Sequence, residues 1–401
     1  MIDPGFVDAN NHRPRIGFDA RYISDRYHGI GRYAFRLLES LIAASPEFTF
    51  VIFRGNEPDS RFDWNPLAAW SNVEFQSGPG SLYWPHEQLI WLWLLHKNQI
   101  DLFHSPYFVA PLFATQPSII TVHDLIFDRY PNYMPMSWSR PYYRLLMKFS
   151  TRQAVRIVAV SRATAHDLQD FYPDLEHKIE IIPEGVETAF RPLDALKQSN
   201  KLRDRYDLKD PYILTVGARR PHKNSVNLIK AFAGLYTDYD HDLVFAGPSD
   251  HRFPDDSRDV VARLGVQARV HFLDWVPEED LPALYNQADL VVLPSLIEGF
   301  GLPALEAMSC GTPVLAADNS SFPEVIGSAG LLVDPYNIDM LRSSMARILA
   351  DPSLRQSMSM AGIRRAAHFS WDTAALRISQ LYRSVLQEAH IQISNLGLPG
   401  S

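Results

Sequence analysis

The chain has 401 residues, 46% of them apolar, which is more than one hydrophobic core usually serves and ample for two. A formal net charge of −8 leaves no excess of Lys and Arg to displace counterions from a nucleic acid backbone, although it says nothing against a nucleotide. The single cysteine, Cys310, excludes an internal disulfide and fits a small buried residue in a reducing compartment. The polar stretch Met1 to Arg15 lacks the order of a signal peptide, so a cytoplasmic location is expected.

Short apolar runs alternate with helical patterns along both halves, the signature of parallel sheets with crossover helices. In the first half, Arg15 to Ala20, Phe48 to Phe53, Asp101 to His104, Ile119 to Val122, Ile157 to Val160 and Ile179 to Ile182 predict strands. A helix start is expected at Tyr27-His28-Gly29-Ile30-Gly31-Arg32-Tyr33. Formally this is Gly-x-Gly-x-x-Ala, but the glycines stand about ten residues beyond the strand instead of in its tight turn. The second strand also ends at Arg54 instead of an acid, which disfavours NAD without excluding NADP. Leu82 to Leu95 is too short to span a bilayer and reads as a core helix, with interfacial membrane contact as the alternative. His104, His123 and the pair Ser161-Arg162 each stand at or just after a strand end, where ligands of open sheets gather; a hydrogen-bonded turn is the simpler account of His104. Arg140, Arg144, Lys148, Arg152 and Arg156 recur every four residues. This basic stripe is most simply a solvated helix face, the alternative being contact with anionic headgroups or a lipid diphosphate.

Arg191 to Pro211 is charged and bounded by prolines, which places a domain boundary there: 1–205, then 206–370. Strands are predicted at Tyr212 to Gly217, Leu243 to Ala246, Val270 to Leu273, Leu290 to Leu293, Val314 to Ala317 and Gly330 to Val333. Val216-Gly217-Ala218-Arg219-Arg220-Pro221-His222-Lys223-Asn224 falls where a strand ends and a helix begins, so its cations suit a departing diphosphate, or else form an ordinary basic turn. The Asp-x-Asp run at Asp238 to Asp242 lies at the opposite end of the sheet and reads as a solvated loop; no cluster has convincing metal spacing. Asp289 to Leu293, a buried strand, feeds a loop and a helix in which Glu298 and Glu306 stand eight residues apart. Gly299 and Gly301 allow close backbone approach, Pro303 fits the first helical turn, and the free N–H groups there suit phosphate oxygens. Glu306, an acceptor when ionised, suits the two hydroxyls of a ribose. After Ser370 a last helix is expected over 371–390, and 391–401 reads as a disordered tail.

Glu298 and Glu306 with the intervening Gly299-Phe300-Gly301-Leu302-Pro303 resemble the paired-glutamate motif of retaining glycosyltransferases of family 4. The likeness extends through Ala307-Met308-Ser309-Cys310-Gly311-Thr312-Pro313-Val314 and Ser320-Ser321-Phe322-Pro323-Glu324-Val325. It implies an α/β fold of two Rossmann-like domains facing a central cleft, the glycosyltransferase-B architecture, with the last helix crossing back to the first domain. It also implies a nucleotide-sugar donor held mainly by the C-terminal domain, an acceptor held mainly by the N-terminal one, and neither metal nor other cofactor. Residue by residue, the resemblance gives catalytic roles to Glu298, His123 and Lys223, with His123 near the anomeric carbon and Lys223 on the diphosphate. It gives donor contacts to Glu306, Gly299, Phe300, Gly301 and Leu302. Gly29 and Gly31 correspond to a loop folded over donor and acceptor. Arg219 or Arg220 becomes the second cation, since Ala218 stands where many relatives carry arginine. Glu184 stands where the family usually has asparagine and receives no role.

The expected activity is therefore metal-independent transfer of a hexose, with retention, to a hydroxyl of a glycan or lipid-linked oligosaccharide in cell-surface polysaccharide synthesis. The glycine segment and the Arg219 to Asn224 turn look most like bacterial O-antigen and exopolysaccharide mannosyltransferases, which points to GDP-mannose. UDP-glucose or a dTDP-deoxysugar stays open as donor. A sugar-nucleotide epimerase and a catalytically silent nucleotide-sugar-binding subunit are the alternatives.

Overall fold

The computed structural model describes residues 13–25, 28–80, 87–134, 139–193, 205–208 and 211–395. The chain forms two compact units: Met1–Leu125, Trp138–Gly185 and Trp371–Ser401 make the first, and Ile126–Ser137 with Val186–Ser370 the second. The division thus falls at Gly185, ahead of the expected 205/206 boundary, and a short piece following His123 belongs to the second unit. Much of the expected linker, residues 194–204, lies outside the described residues, as do residues 82–86 of the apolar run.

The first unit is built on a seven-stranded sheet: β1 (Arg15–Asp19), β2 (Thr49–Arg54), β3 (Val73–Ser77), β4 (Leu102–Ser105), β5 (Ser118–Val122), β6 (Arg156–Ala159) and β7 (Ile179–Ile181). Their order is β3-β2-β1-β4-β5-β6-β7, with every neighbouring pair parallel. β4 and β5 are buried along their whole length, as a parallel sheet covered on both faces requires. β3, Val-Glu-Phe-Gln-Ser, is an edge strand of intermediate burial, and its half-polar sequence does not announce a strand.

The second unit carries β8 (Tyr212–Val216), β9 (Asp242–Ala246), β10 (Val270–Leu273), β11 (Leu290–Leu293), β12 (Val314–Ala317) and β13 (Leu331–Val333), all parallel, in the order β10-β9-β8-β11-β12-β13. In each sheet the strand order reverses once, between β1 and β4 and between β8 and β11. The crevice beyond the carboxyl ends at such a reversal is where open α/β sheets hold ligands.

The last helix, Trp371–Asn395, belongs to the first unit, as expected, and continues into the stretch read as a tail; residues 396–401 lie outside the described residues. It packs along helix His28–Ala44. Ser45 donates to Ser379 at 2.7 Å, and Arg383 pairs with Glu47. Tyr382 meets His104 Nδ1 at 2.6 Å while Nε2 meets Thr121 Oγ1 at 3.0 Å. His104 is wholly buried, and burial pushes its imidazole down to about 3, so it serves as a neutral link between sheet and helix. No helix among the described residues is long and apolar enough to cross a membrane.

Candidate active site

In the second unit the reversal point between β8 and β11 gathers the cationic turn and the glutamate loop. Gly217 ends β8 with φ +134°, a conformation that favours glycine, and the turn Pro221–Lys223 follows. Asn224 caps the turn, donating through Nδ2 to Pro294 O at 3.1 Å and Pro335 O at 2.8 Å, while Leu296 N donates to His222 O at 2.7 Å. These bonds stitch the turn after β8 to the loops after β11 and β13. The result is an ion pair, Lys223 Nζ to Glu298 Oε1, at 2.6 Å. Burial raises the Glu298 carboxyl, but Lys223, the neighbouring His222 and hydrogen bonds from Lys223 and Ser295 outweigh it and hold the group below the usual glutamate range. His222 is itself buried, and burial, reinforced by the charge of Lys223, lowers it to about 3, so Lys223 is the charged member of that dipeptide.

The glutamate loop is held by a second turn. Ser320 Oγ donates to Glu298 O at 2.6 Å and accepts from Glu298 N at 3.1 Å, Ser321 Oγ donates to Phe300 O at 2.8 Å, and Asn319 Nδ2 donates to Leu296 O at 3.1 Å. Gly301 has φ +98°, and a Cβ there would stand 2.9 Å from the Phe322 ring, so glycine is demanded twice over. It caps helix Leu302–Ser309, whose first turn includes Pro303 and faces the same strand ends. Gly299 and Leu302 are half-buried at the loop. Phe300 instead turns inward against Phe369, with ring centroids 5.8 Å apart, so it anchors the loop instead of lining it. Glu306 is enclosed at 2% exposure and accepts from the Tyr285 hydroxyl at 2.8 Å, in place of the open carboxylate the sequence suggests.

The expected second cation meets a different arrangement. Arg219 is 3% exposed and lies over the Phe272 ring, with Nε donating to Asp255 at 2.9 Å, Nη1 to Gly247 O at 2.7 Å and Nη2 to Asp274 at 2.6 Å. Its guanidinium is spent on holding the ends of β8, β9 and β10 together and is not presented to a diphosphate. Arg220 is partly exposed and pairs with Asp250 at 2.9 Å.

In the first unit, His123 follows β5. Its Nε2 lies 2.9 Å from the carbonyl of Pro106, an acceptor only, so that nitrogen carries a proton; Nδ1 lies 3.3 Å from Glu184 Oε1. Its carbonyl accepts from Thr164 Oγ1 at 2.9 Å. The Tyr33 ring meets the imidazole edge to face with centroids 4.6 Å apart. Tyr33 stands on helix His28–Ala44, so Gly29 and Gly31 occupy that helix's first turn and not a loop. A Cβ at Gly31 would stand 3.0 Å from Tyr22 O, whereas Gly29 has open space around it. The structure thus brings Gly29, Gly31, Tyr33, His123 and Glu184 into one region of the first unit, and Lys223, Glu298, Gly299, Gly301 and Leu302 into one region of the second.

Residues 198–365 match the family described as glycosyl transferases group 1, and residues 27–190 match Glycosyltransferase Family 4. The chain is a glycosyltransferase. It is similar to O-antigen chain mannosyltransferase B of Escherichia coli, 29% identical over 372 residues that cover 88% of this chain and 96% of that one. Solved structures share its fold, among them the following two. Sucrose-phosphate synthase from Thermosynechococcus elongatus is 23% identical with a TM-score of 0.76, covering 94% of this chain and 100% of that one. Anabaena HepE, in complex with UDP and glucose, is 19% identical with a TM-score of 0.74, covering 92% of this chain and 100% of that one.

For this glycosyltransferase, sequence reasoning missed the groups that hold the site. Asn224, Asn319, Ser320 and Ser321 act through backbone carbonyls, and nothing in their spacing signals that. Glu184 was passed over because it departs from the family's asparagine, yet it is the side chain that meets His123.

Proposed function

We propose that this glycosyltransferase moves mannose from GDP-mannose, with retention, to a hydroxyl of a glycan or lipid-linked oligosaccharide, using no metal. The observation that carries the donor site is the Lys223–Glu298 pair at the β8/β11 reversal, 2.6 Å apart beside a helix start. In the reaction the bond between the anomeric carbon and the phosphate oxygen breaks, its electron pair leaving with the diphosphate. Lys223 and the first-turn N–H groups of helix Leu302–Ser309 stabilise that charge. The acceptor oxygen bonds to the same face of the carbon and its proton passes to the departing phosphate oxygen. Lys223 turns from Glu298 to the diphosphate when donor arrives, which frees Glu298 to accept from sugar hydroxyls. Glu306 supports the ribose from its enclosed position.

Mannose is favoured by the similarity to an O-antigen mannosyltransferase over nearly its whole length. A UDP-sugar is the second reading, favoured by the ligand of the HepE structure. Thermal unfolding with GDP, UDP, dTDP and ADP, each with its sugars, separates them. A ligand at about a hundred times its Kd adds about 2.7 kcal/mol to stability. A shift selective for GDP and GDP-mannose supports the proposal; a UDP-selective shift replaces the donor. Retention is read from the anomer released first when GDP-mannose is slowly hydrolysed without acceptor: the α anomer supports it, the β anomer overturns it.

A further inference from the structure

The apolar run read as a core helix forms helix Glu87–Lys97, and only one face of it is buried. Leu89 is 69% exposed and Trp93 57%, with Ile90 beside them. The basic stripe, read as a solvated face, forms helix Arg140–Gln153, and it too exposes apolar side chains: Tyr142, Leu145 and Phe149. Between the two helices lies Phe113, 68% exposed, in the connection from β4 to β5. That connection is bonded to both helices. Leu112 N donates to Gln88 Oε1 at 2.6 Å, and Gln153 Nε2 donates to Ala114 O at 3.1 Å. Seven of the sixteen exposed large apolar side chains among the described residues therefore share one surface of the first unit. Monomeric soluble proteins rarely expose such a continuous patch without a use for it.

Charge selects the occupant. With about 100° between successive residues, Arg144, Lys148 and Arg152 flank the exposed apolar stripe of their helix on the side away from the core. Lys97 lies 4.6 Å from the Trp93 ring centre, its charge at the patch edge. Helix Arg140–Gln153 contains no carboxylate, and the one on helix Glu87–Lys97 is buried. A cationic surface with protruding tryptophan, phenylalanine and leucine, whose two helices expose no carboxylate, on a chain of net charge −8, is complementary to an interface that is apolar inside and anionic at its rim. We infer that this surface docks the glycosyltransferase on an anionic phospholipid membrane, with Leu89, Trp93, Phe113, Leu145 and Phe149 entering the headgroup region and the cations at its edge. The inference is independent of which sugar nucleotide is used.

Co-sedimentation of the full chain with vesicles of phosphatidylcholine alone, or with phosphatidylglycerol added, tests it. Expected is partitioning onto the phosphatidylglycerol vesicles that weakens with salt. The double variant Trp93→Ser, Phe149→Ser is expected to lose at least about tenfold in partitioning. The double variant Lys97→Ser, Lys148→Ser is expected to lose about thirtyfold on anionic vesicles only. All four residues are exposed, and an unchanged melting curve for each variant checks that the fold is intact. Absence of binding to anionic vesicles, equal binding to neutral ones, or variants that bind as the parent does would overturn the inference. So would a dimer in sedimentation equilibrium that the Trp93→Ser, Phe149→Ser variant abolishes, since a second copy would then be the occupant.

Discussion

The two strand-end regions treat their polar groups in opposite ways. In the second unit, Lys223 and Glu298 hold each other at 2.6 Å and remain partly accessible, so a diphosphate or a sugar hydroxyl can replace either partner. In the first unit, His123 has both ring nitrogens committed to Pro106 and Glu184 and its carbonyl to Thr164. One region keeps charge ready for exchange; the other has its histidine fixed in place by the protein. Within the second unit the same contrast separates Lys223 from Arg219, four residues apart, one available and one locked between Asp255 and Asp274. A cation's sequence position therefore says less about its task than the number of acceptors already around it.

That contrast can be broken by substitution. Arg219→Met removes a buried guanidinium and leaves Asp255 uncompensated, so urea denaturation is expected to show a loss of about 3–5 kcal/mol. A variant that stays stable but no longer binds nucleotide would move Arg219 into the ligand site. Lys223→Ala is expected to lower kcat by about 10²–10³, the cost of removing one preorganised charge partner from a departing group. Near-normal turnover would sink that role. Glu184→Gln keeps the shape and removes the charge facing His123 Nδ1; a loss of about tenfold in kcat at unchanged donor affinity is expected, in line with a charge-assisted hydrogen bond. Equal loss in donor affinity would put Glu184 in contact with the donor.

The smallest effects lie in the pH dependence of stability. His104 and His222 have folded values lowered from 6.5 to about 3, so between those limits the unfolded chain binds more protons and stability falls as pH is lowered through that window. Glu298 has the sign of a depressed carboxylate: its contribution is present above the ordinary glutamate value of about 4.3 and is lost as pH drops through the lower folded value. Urea midpoints for Glu298→Gln and the parent are therefore expected to differ near neutrality and to converge in acid. A gap that persists undiminished in acid would show that the carboxylate's charge is not what stabilises the loop.

Twelve of the thirteen strands were legible in the sequence, because buried parallel strands are short apolar runs and lie in similar positions in both halves. β3 was not, since an edge strand with Glu74 and Gln76 lacks that signal. The glycines, Pro303 and the paired glutamates marked the glutamate loop correctly as a strand-loop-helix passage. What the sequence withheld was side-chain commitment. The enclosure of Glu306 by Tyr285, the capture of Arg219 and the pairing of Glu184 with His123 all depend on residues distant in the chain. Likewise the period of helix Glu87–Lys97 shows no apolar stripe, so its exposed face emerges only once its neighbours are in place.

The most direct measurement is calorimetric titration of GDP-mannose into the parent protein and into Lys223→Ala. The account predicts binding to the parent and at least about tenfold weaker binding to the variant, with the difference shrinking as salt is raised. Equal affinity of the two proteins for GDP-mannose would contradict the assignment of the Lys223–Glu298 pair as the donor site.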